Sequence, residues 1–325
     1  MKPDMREIET NGVRLRAAVQ GEGPLVLLVH GFPESWYSWR HQLGPLAAAG
    51  FTACAIDVRG YGGSDKPGAV GAYAMQEMCA DIAGVIGTLS PGAPAVLVGH
   101  DWGAPIVWHS AVLHPGKVRA VAGLSVPYFD LPPAPLNQLF KAMYTDQGKF
   151  FYMAYFQDEG VAEAEFEADV RGALRKLYYA ASADSDGRWG TQHKPAGEPM
   201  LQGLPDPDPL PTWLTPDDLD YYVAQFEQSG FRGPINRYRN FERDWAMMNT
   251  VPDRVIHQPS LFIAGAEDMV LSMFGDGSAA GVEAQMRETT SDLRGVHLVP
   301  GAGHWVQQEA PDTTTGLLID WLATL

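Results

Sequence analysis

The sequence predicts an α/β fold in which a mostly parallel central sheet is flanked by helices and carries an inserted, mostly helical lid. Short apolar runs alternate with helical segments from residue 25 to about residue 126, and this alternation resumes after about residue 251. Such alternation is typical of parallel strands buried on both faces. The stretch between lacks it and is aromatic, proline-rich in places and helical elsewhere. We therefore predict a core over residues 1–130 and 251–325, interrupted by a helical lid over residues 131–250.

Turn and strand signals predict the first elements of the core. Asn11-Gly12 is the strongest two-residue turn signal, and it lies between alternating runs that predict a hairpin over residues 8–19. Helical spacing follows over residues 73–89. Continuous apolar runs predict buried strands at residues 25–29, 51–56, 96–98 and 118–126.

Similar signals reappear towards the end of the lid. Thr215-Pro216-Asp217-Asp218 has the form of a capping box with proline at the first helical position, and Gly230 is the expected end of that helix. Two more strands are predicted at residues 260–265 and 296–299. A last amphipathic helix is predicted at residues 310–325.

The most informative motif is Gly99-His100-Asp101-Trp102-Gly103, which lies between an apolar run and a helical segment. A strand, a tight turn and a helix in this order form a nucleophile elbow, and the flanking glycines let strand and helix pack closely. Asp101 occupies the nucleophile position. A carboxylate is ionised at neutral pH, since its reference pKa is about 3.9, and it can attack an electrophilic carbon to form an ester. The alternative is an aspartate that caps the next helix.

A histidine and a second acid follow later strands. His304 lies in the glycine-flanked loop Pro300-Gly301-Ala302-Gly303-His304-Trp305, before the final helix. Asp268 follows the strand at 260–265, and nucleophile, acid and histidine then occur in the order of α/β-hydrolases. We predict that His304 is the base for water and that Asp268 orients it. A capping role is the alternative for Asp268, and the adjacent Glu267 is expected to face solvent.

Two backbone N–H groups are candidates for an oxyanion hole. They belong to Trp102, directly after the nucleophile, and to Phe32, in the loop after an early strand. The side chains of Phe32, Trp36 and Met269 are candidates for apolar walls of a substrate pocket. Ordinary core packing is the alternative for Trp36.

Two groups of motifs carry a family resemblance. Residues 30–36, HGFPESW, together with residues 99–103 resemble the epoxide hydrolase branch of the α/β-hydrolase superfamily. The segments around Tyr155-Phe156-Gln157 and Tyr238-Arg239-Asn240 are similar to lid segments of soluble epoxide hydrolases. The resemblance implies the α/β-hydrolase fold, and it implies that Tyr155 and Tyr238 point into the active site.

The reaction implied by this resemblance is the hydrolysis of a small apolar epoxide to a vicinal diol. Asp101 would attack a ring carbon while the tyrosines protonate the oxygen, and His304 would activate water to cleave the resulting ester. No cofactor or metal is expected. Two alternatives stay open: a haloalkane dehalogenase, in which the Trp102 indole would bind halide, and a non-catalytic binding protein of the same fold.

Composition limits the partners. The 325 residues carry a net charge of −16, which argues against nucleic acids and anionic membranes because phosphate binding requires clustered Lys and Arg. No apolar run approaches the roughly 20 residues of a membrane span, and the N-terminus has no signal-like apolar segment. Cys54 and Cys79 are expected to be buried thiols, so we predict a cytoplasmic protein. Aromatic residues exposed on the lid are compatible with a homodimer.

Overall fold

The computed structural model describes residues 2–185, 194–273 and 275–325. Eight strands within these residues form one sheet in the order β1-β2-β4-β3-β5-β6-β7-β8. Only the β1–β2 and β2–β4 pairs are antiparallel. The strands are β1 Asp4–Thr10, β2 Val13–Gln20, β3 Leu25–Val29, β4 Thr52–Ile56, β5 Ala95–His100, β6 Val118–Leu124, β7 Ser260–Gly265 and β8 Leu293–Val299.

The hairpin and the buried strands confirm the local sequence signals. Thr10 pairs with Val13 across the first turn, and Asn11 and Gly12 have φ angles of 44° and 73°. A two-residue type I′ turn, whose twist matches that of the flanking strands, requires positive φ at both central residues. The strands β3, β4, β5, β6 and β7 are almost entirely buried, which explains their continuous apolar sequences.

Helices cover both faces of the sheet, and a helical segment is inserted between β6 and β7. The α-helices before the insertion are α1 Arg40–Ala48, α2 Met75–Leu89 and α3 Gly103–Leu113. Those of the insertion are α4 Leu136–Met143, α5 Tyr152–Tyr155, α6 Val161–Ala168, α7 Val170–Ala180, α8 Pro216–Ser229, α9 Arg232–Asn236 and α10 Phe241–Met248. Those after it are α11 Val270–Met273, α12 Ala279–Thr289, α13 Val306–Glu309 and α14 Pro311–Leu322. Short 3₁₀ helices lie at Trp36–Trp39, Val70–Tyr73, Pro115–Lys117, Thr145–Gln147 and Arg237–Asn240.

The capping box at the start of α8 forms as the sequence predicts. The Thr215 hydroxyl accepts from the Asp218 N–H at 3.2 Å, and the Asp218 carboxylate accepts from the Thr215 N–H at 3.0 Å. Gly230 follows the last turn with φ 66°. This helix packs against α7 of the same insertion.

Two apolar clusters hold these layers together. One lies between the sheet and α1 with α14, where Trp39, Leu46 and Leu318 are buried. The other joins the opposite face of the sheet to the lid, and it contains Trp108 from α3 as well as Phe156 from the lid. Core and lid therefore share one hydrophobic interior above the carboxyl ends of the strands. Across the described residues no helix combines the length and apolar character needed to cross a membrane.

Candidate active site

Asp101 lies in a strained turn between β5 and α3. Its φ of 49° is positive, a conformation that non-glycine residues adopt rarely and mostly where surrounding structure enforces it. Gly99 and Gly103 explain how the turn can be so tight. A Cβ on Gly99 would lie 2.1 Å from the Gly103 carbonyl oxygen, and one on Gly103 would lie 2.0 Å from that of Val29. The predicted elbow is therefore present, with the carboxylate at its apex.

His304 lies between the two predicted acids. Its Nε2 is 3.3 Å from Oδ2 of Asp101, and its Nδ1 is 3.1 Å from Oδ2 of Asp268. Asp268 follows β7 and His304 follows β8, so three strand ends deliver the three side chains to one place. In a neutral ring whose Nδ1 donates to Asp268, Nε2 is the basic nitrogen, and it faces Asp101.

The two carboxylates control the protonation of this histidine. Burial alone would lower the pKa of His304, but the charges of Asp268 and Asp101 outweigh it and raise the pKa well above its usual value. His304 is 5% exposed, so this attraction acts with little screening by water. Removing either negative charge would therefore lower the pKa of His304.

The loop after β3 contacts the carboxylate directly. The Phe32 N–H donates to Oδ1 of Asp101 at 2.7 Å. A Cβ on Gly31 would lie 2.3 Å from that same oxygen and 2.6 Å from the Trp102 amide nitrogen, which shows how closely the loop packs on the turn. The amides of Phe32 and Trp102 thus lie on the two segments that meet at the Asp101 carboxylate.

A buried polar network supports this arrangement from behind. Glu34 accepts from the Gly31 N–H and faces Nδ1 of His100, both at 2.8 Å. Nε2 of His100 donates to the His304 carbonyl oxygen at 2.7 Å, since a carbonyl can only accept. Burial alone would raise the pKa of Glu34, but His100 and the Gly31 N–H lower it to about 2. The network thereby connects the Phe32 loop to the backbone of the histidine.

A cavity of about 150 Å³ opens from the carboxylate between α3 and the lid. Asp101, Trp102 and Tyr152 form part of its wall. Its remaining lining is mainly apolar and includes Trp108, Val126, Phe129, Met153, Phe241 and Met273. A concave, mainly apolar cavity with polar groups at particular positions in its wall is typical of a small-molecule site.

Two lid tyrosines lie near Asp101. Tyr238 packs edge-on against the rings of Trp102 and Phe32, at centroid distances of 5.1 and 5.6 Å. Burial and then the charge of Asp101 raise the pKa of its phenol well above the usual value, which keeps the hydroxyl protonated. The ring of Tyr152, from α5, lies 6.0 Å from that of Tyr238. These two phenols and Asp101 therefore form one cluster.

The prediction that Tyr155 points into the site is wrong. Its hydroxyl donates to Oε2 of Glu165 at 2.8 Å, and Tyr155 is not part of the cavity wall. Glu165 also accepts from the N–H groups of Met200 and Leu201, so Tyr155 belongs to a structural network within the lid. Tyr152 lies three residues earlier on the same single-turn helix and occupies the position expected of Tyr155.

Comparisons with known proteins agree with this geometry. Residues 24–311 match the α/β hydrolase fold family. The chain is 40% identical to epoxide hydrolase A of Mycobacterium tuberculosis, over 99% of this chain and 98% of that protein. The chain belongs to the epoxide hydrolases of the α/β hydrolase family. It is also 37% identical to bifunctional epoxide hydrolase 2 of Rattus norvegicus, over 96% of this chain and 54% of that protein. The solved structure of an epoxide hydrolase from an endophytic Streptomyces is 44% identical with a TM-score of 0.92, covering 99% of this chain and 96% of that one.

Three predicted pocket residues of this epoxide hydrolase family member do not form the cavity wall. The Trp36 side chain packs edge-on against both Tyr37 and Tyr221 in the apolar cluster that contains α1 and α14, which is the core-packing alternative. The Phe32 ring is buried against lid aromatics, so only its N–H reaches Asp101. Met269 packs against the core, and its neighbour Val270 lines the cavity in its place.

Three residues that help to build the site in this family member are not predicted from the sequence. Glu34 and His100 lie within the recognised motifs, and their position two residues after Phe32 and one before Asp101 was the available signal. Arg237 directly precedes Tyr238. Its buried guanidinium lies 4.7 Å from the centre of the Trp102 ring and pairs with Asp244. That position gave no signal, because the Trp102 ring that its guanidinium contacts is distant in sequence.

Proposed function

We propose that this member of the family hydrolyses epoxides to vicinal diols through a covalent ester on Asp101. The observation that carries the proposal is the carboxylate of Asp101, which lies on a strained backbone turn and is held between the Phe32 N–H and His304, beside two buried phenols. A carboxylate needs no base to attack carbon, whereas an epoxide needs an acid for its oxygen. The names of the relatives support the same substrate class.

In the first step, an oxygen of Asp101 forms a bond to a ring carbon and the bond from that carbon to the ring oxygen breaks. The developing alkoxide takes its proton from Tyr152 or Tyr238. An alkoxide is far more basic than a phenolate, so the phenol binds the oxygen more strongly in the transition state than in the substrate. Esterification also removes the Asp101 charge that raises the pKa of Tyr238, so this phenol becomes a better donor as the reaction proceeds.

In the second step, His304 removes a proton from water, and the hydroxide adds to the carbonyl carbon of the ester. The N–H groups of Phe32 and Trp102 stabilise the oxyanion. Its collapse breaks the ester bond, and the leaving alkoxide takes the proton from His304 to give the diol. Asp101 is left as a carboxylic acid, and its proton returns to the phenolate formed in the first step, which restores both groups. The first step prepares the second. The ester is neutral, so Asp101 no longer raises the pKa of His304, and only the charge of Asp268 still raises it.

A two-substrate assay tests this function against the dehalogenase alternative. We expect a neutral aryl epoxide to give diol, and a chloroalkane of similar size to release no halide above the buffer rate. Halide release with no diol would favour the dehalogenase. Tight binding of the epoxide without either product would favour the non-catalytic binding protein.

The lid tyrosines provide a sharper prediction with an internal control. Replacing Tyr152 or Tyr238 with phenylalanine should slow ester formation by roughly 10²-fold, because one proton donor is lost while the other remains. The double variant should fall by roughly 10⁴-fold. Tyr155→Phe, which removes the hydroxyl bonded to Glu165, should keep the wild-type rate of ester formation. Rapid-quench measurement of the ester distinguishes these cases, and a large loss in Tyr155→Phe alone would contradict the assignment.

A further inference from the structure

The cavity wall contains a histidine that the proposed mechanism does not use. His109 lies on α3, on the side that faces the lid, and it contributes to the lining together with Pro105 and Tyr128. Its ring is in edge-on contact with that of Tyr128, at a centroid distance of 5.9 Å. The side chain is only partly buried although it lies inside the molecule, so the surface it retains faces the cavity.

One hydrogen bond fixes the chemical character of this ring. Nδ1 lies 2.7 Å from the Pro105 carbonyl oxygen, which can only accept, so Nδ1 carries the proton. Burial lowers the pKa of His109 to about 4, so the ring is neutral near pH 7. In a neutral ring protonated at Nδ1, Nε2 is a hydrogen-bond acceptor. Among the described residues Nε2 has no hydrogen-bond partner.

The other polar side chains along the wall already have partners. The Tyr128 hydroxyl donates to the Arg254 carbonyl oxygen at 2.8 Å, and the Trp108 indole donates to the Val126 carbonyl oxygen at 3.1 Å. The Trp245 indole donates to the Pro132 carbonyl oxygen at 2.8 Å.

The charged residues of the wall are likewise paired. Arg237 binds Asp244 deep in the wall, and Arg254 binds Asp130, whose side chain is largely exposed. His109 thus offers an acceptor that a bound molecule can use without displacing a protein partner.

We infer that His109 forms a subsite for a hydroxyl group, or another neutral hydrogen-bond donor, carried by the substrate at a distance from its epoxide ring. The inference rests on the proposed function, because it assigns a second part of the same substrate. A helix rises about 1.5 Å per residue, so His109 lies roughly 9 Å along α3 from Gly103, next to the nucleophile turn. The matching substrate therefore carries its donor several bonds away from the epoxide ring, along the direction of α3.

The chemistry of the subsite separates three kinds of substituent. A hydroxyl donates to Nε2 and is favoured. A methyl ether of the same length has no donor and leaves the acceptor unpaired, which costs the free energy of desolvating that acceptor. A carboxylate is repelled by the lone pair of a neutral ring and gains nothing from His109.

A homologous series of terminal epoxides tests this subsite. Each member carries an ω-hydroxyl, ω-methoxy or ω-carboxylate group, and the unsubstituted alkyl epoxide of each length is the reference. In the wild-type enzyme, kcat/KM for the hydroxyl compound should exceed that for the methoxy compound by about 2- to 10-fold, with a maximum at one chain length. His109→Phe should abolish this preference and His109→Gln, which keeps an acceptor, should retain part of it. His114→Asn, at the end of the same helix and outside the cavity wall, is the control and should keep the full preference.

The outcomes distinguish failure of the subsite from failure of the proposed function. Hydrolysis of the alkyl epoxides without a hydroxyl preference, or with a preference that persists in His109→Phe, would overturn the subsite and leave the proposed function intact. A higher rate for the carboxylate series would also overturn it. Failure to hydrolyse any epoxide would overturn both. If His109→Phe does not fold, the wild-type series and His109→Gln still decide.

Discussion

Replacing Asp101 with alanine should reduce diol formation by about 10⁴-fold or more, because the variant has no group that can form the ester. The loss should appear in kcat, since the apolar wall that binds the substrate is unchanged. Initial rates with an aryl epoxide, measured together with substrate binding, check both parts.

Asp101→Asn is the matched variant, since it preserves shape and removes the charged nucleophile. Both variants should remain folded, and their thermal unfolding should show no loss of cooperativity. A folded Asp101→Ala enzyme that keeps a hundredth of wild-type turnover would mean that water attacks the epoxide directly.

Replacing His304 with glutamine should separate the two steps of the reaction. Asp101 does not need His304 to attack the epoxide, but the ester needs a base for its hydrolysis. We therefore expect one equivalent of epoxide to become bound to each protein chain, followed by almost no turnover. Intact-protein mass spectrometry should show a mass increase equal to one epoxide.

The double variant Asp101→Ala/His304→Gln is the control for this experiment. It should form no adduct, which establishes that the modified residue is Asp101 and not another nucleophile. Steady turnover by His304→Gln without an accumulated ester would argue against a histidine-dependent second step.

The sequence predicts that Asp101, Asp268 and His304 lie together, because their motifs carry their own backbone geometry. A nucleophile between Gly99 and Gly103 requires a sharp turn after a strand, and the glycine-flanked loop at His304 follows another strand of the same sheet. Parallel strands end at one edge, so residues after β5, β7 and β8 converge without further information. The fold class follows from the same alternation of strands and helices.

The lid is harder to predict because side-chain direction within a short helix depends on packing. Tyr152 and Tyr155 are three residues apart on a helix of four, and Glu165 decides which one turns away from the cavity. Trp36 shows that the same difficulty applies to apolar residues, since an aromatic side chain can line a pocket or pack in the core, and the sequence does not distinguish the two. The network of Glu34 and His100 depends on contacts between distant segments, which single motifs do not reveal.

A single turnover in water enriched in oxygen-18 tests the central claim most directly. If Asp101 becomes esterified, the solvent oxygen enters its carboxylate when the ester is hydrolysed, and the diol receives an unlabelled oxygen from the protein. Mass spectrometry should therefore find the label in the peptide that contains Asp101 and not in the first equivalent of diol. Label in that diol, with an unlabelled peptide, would contradict the account.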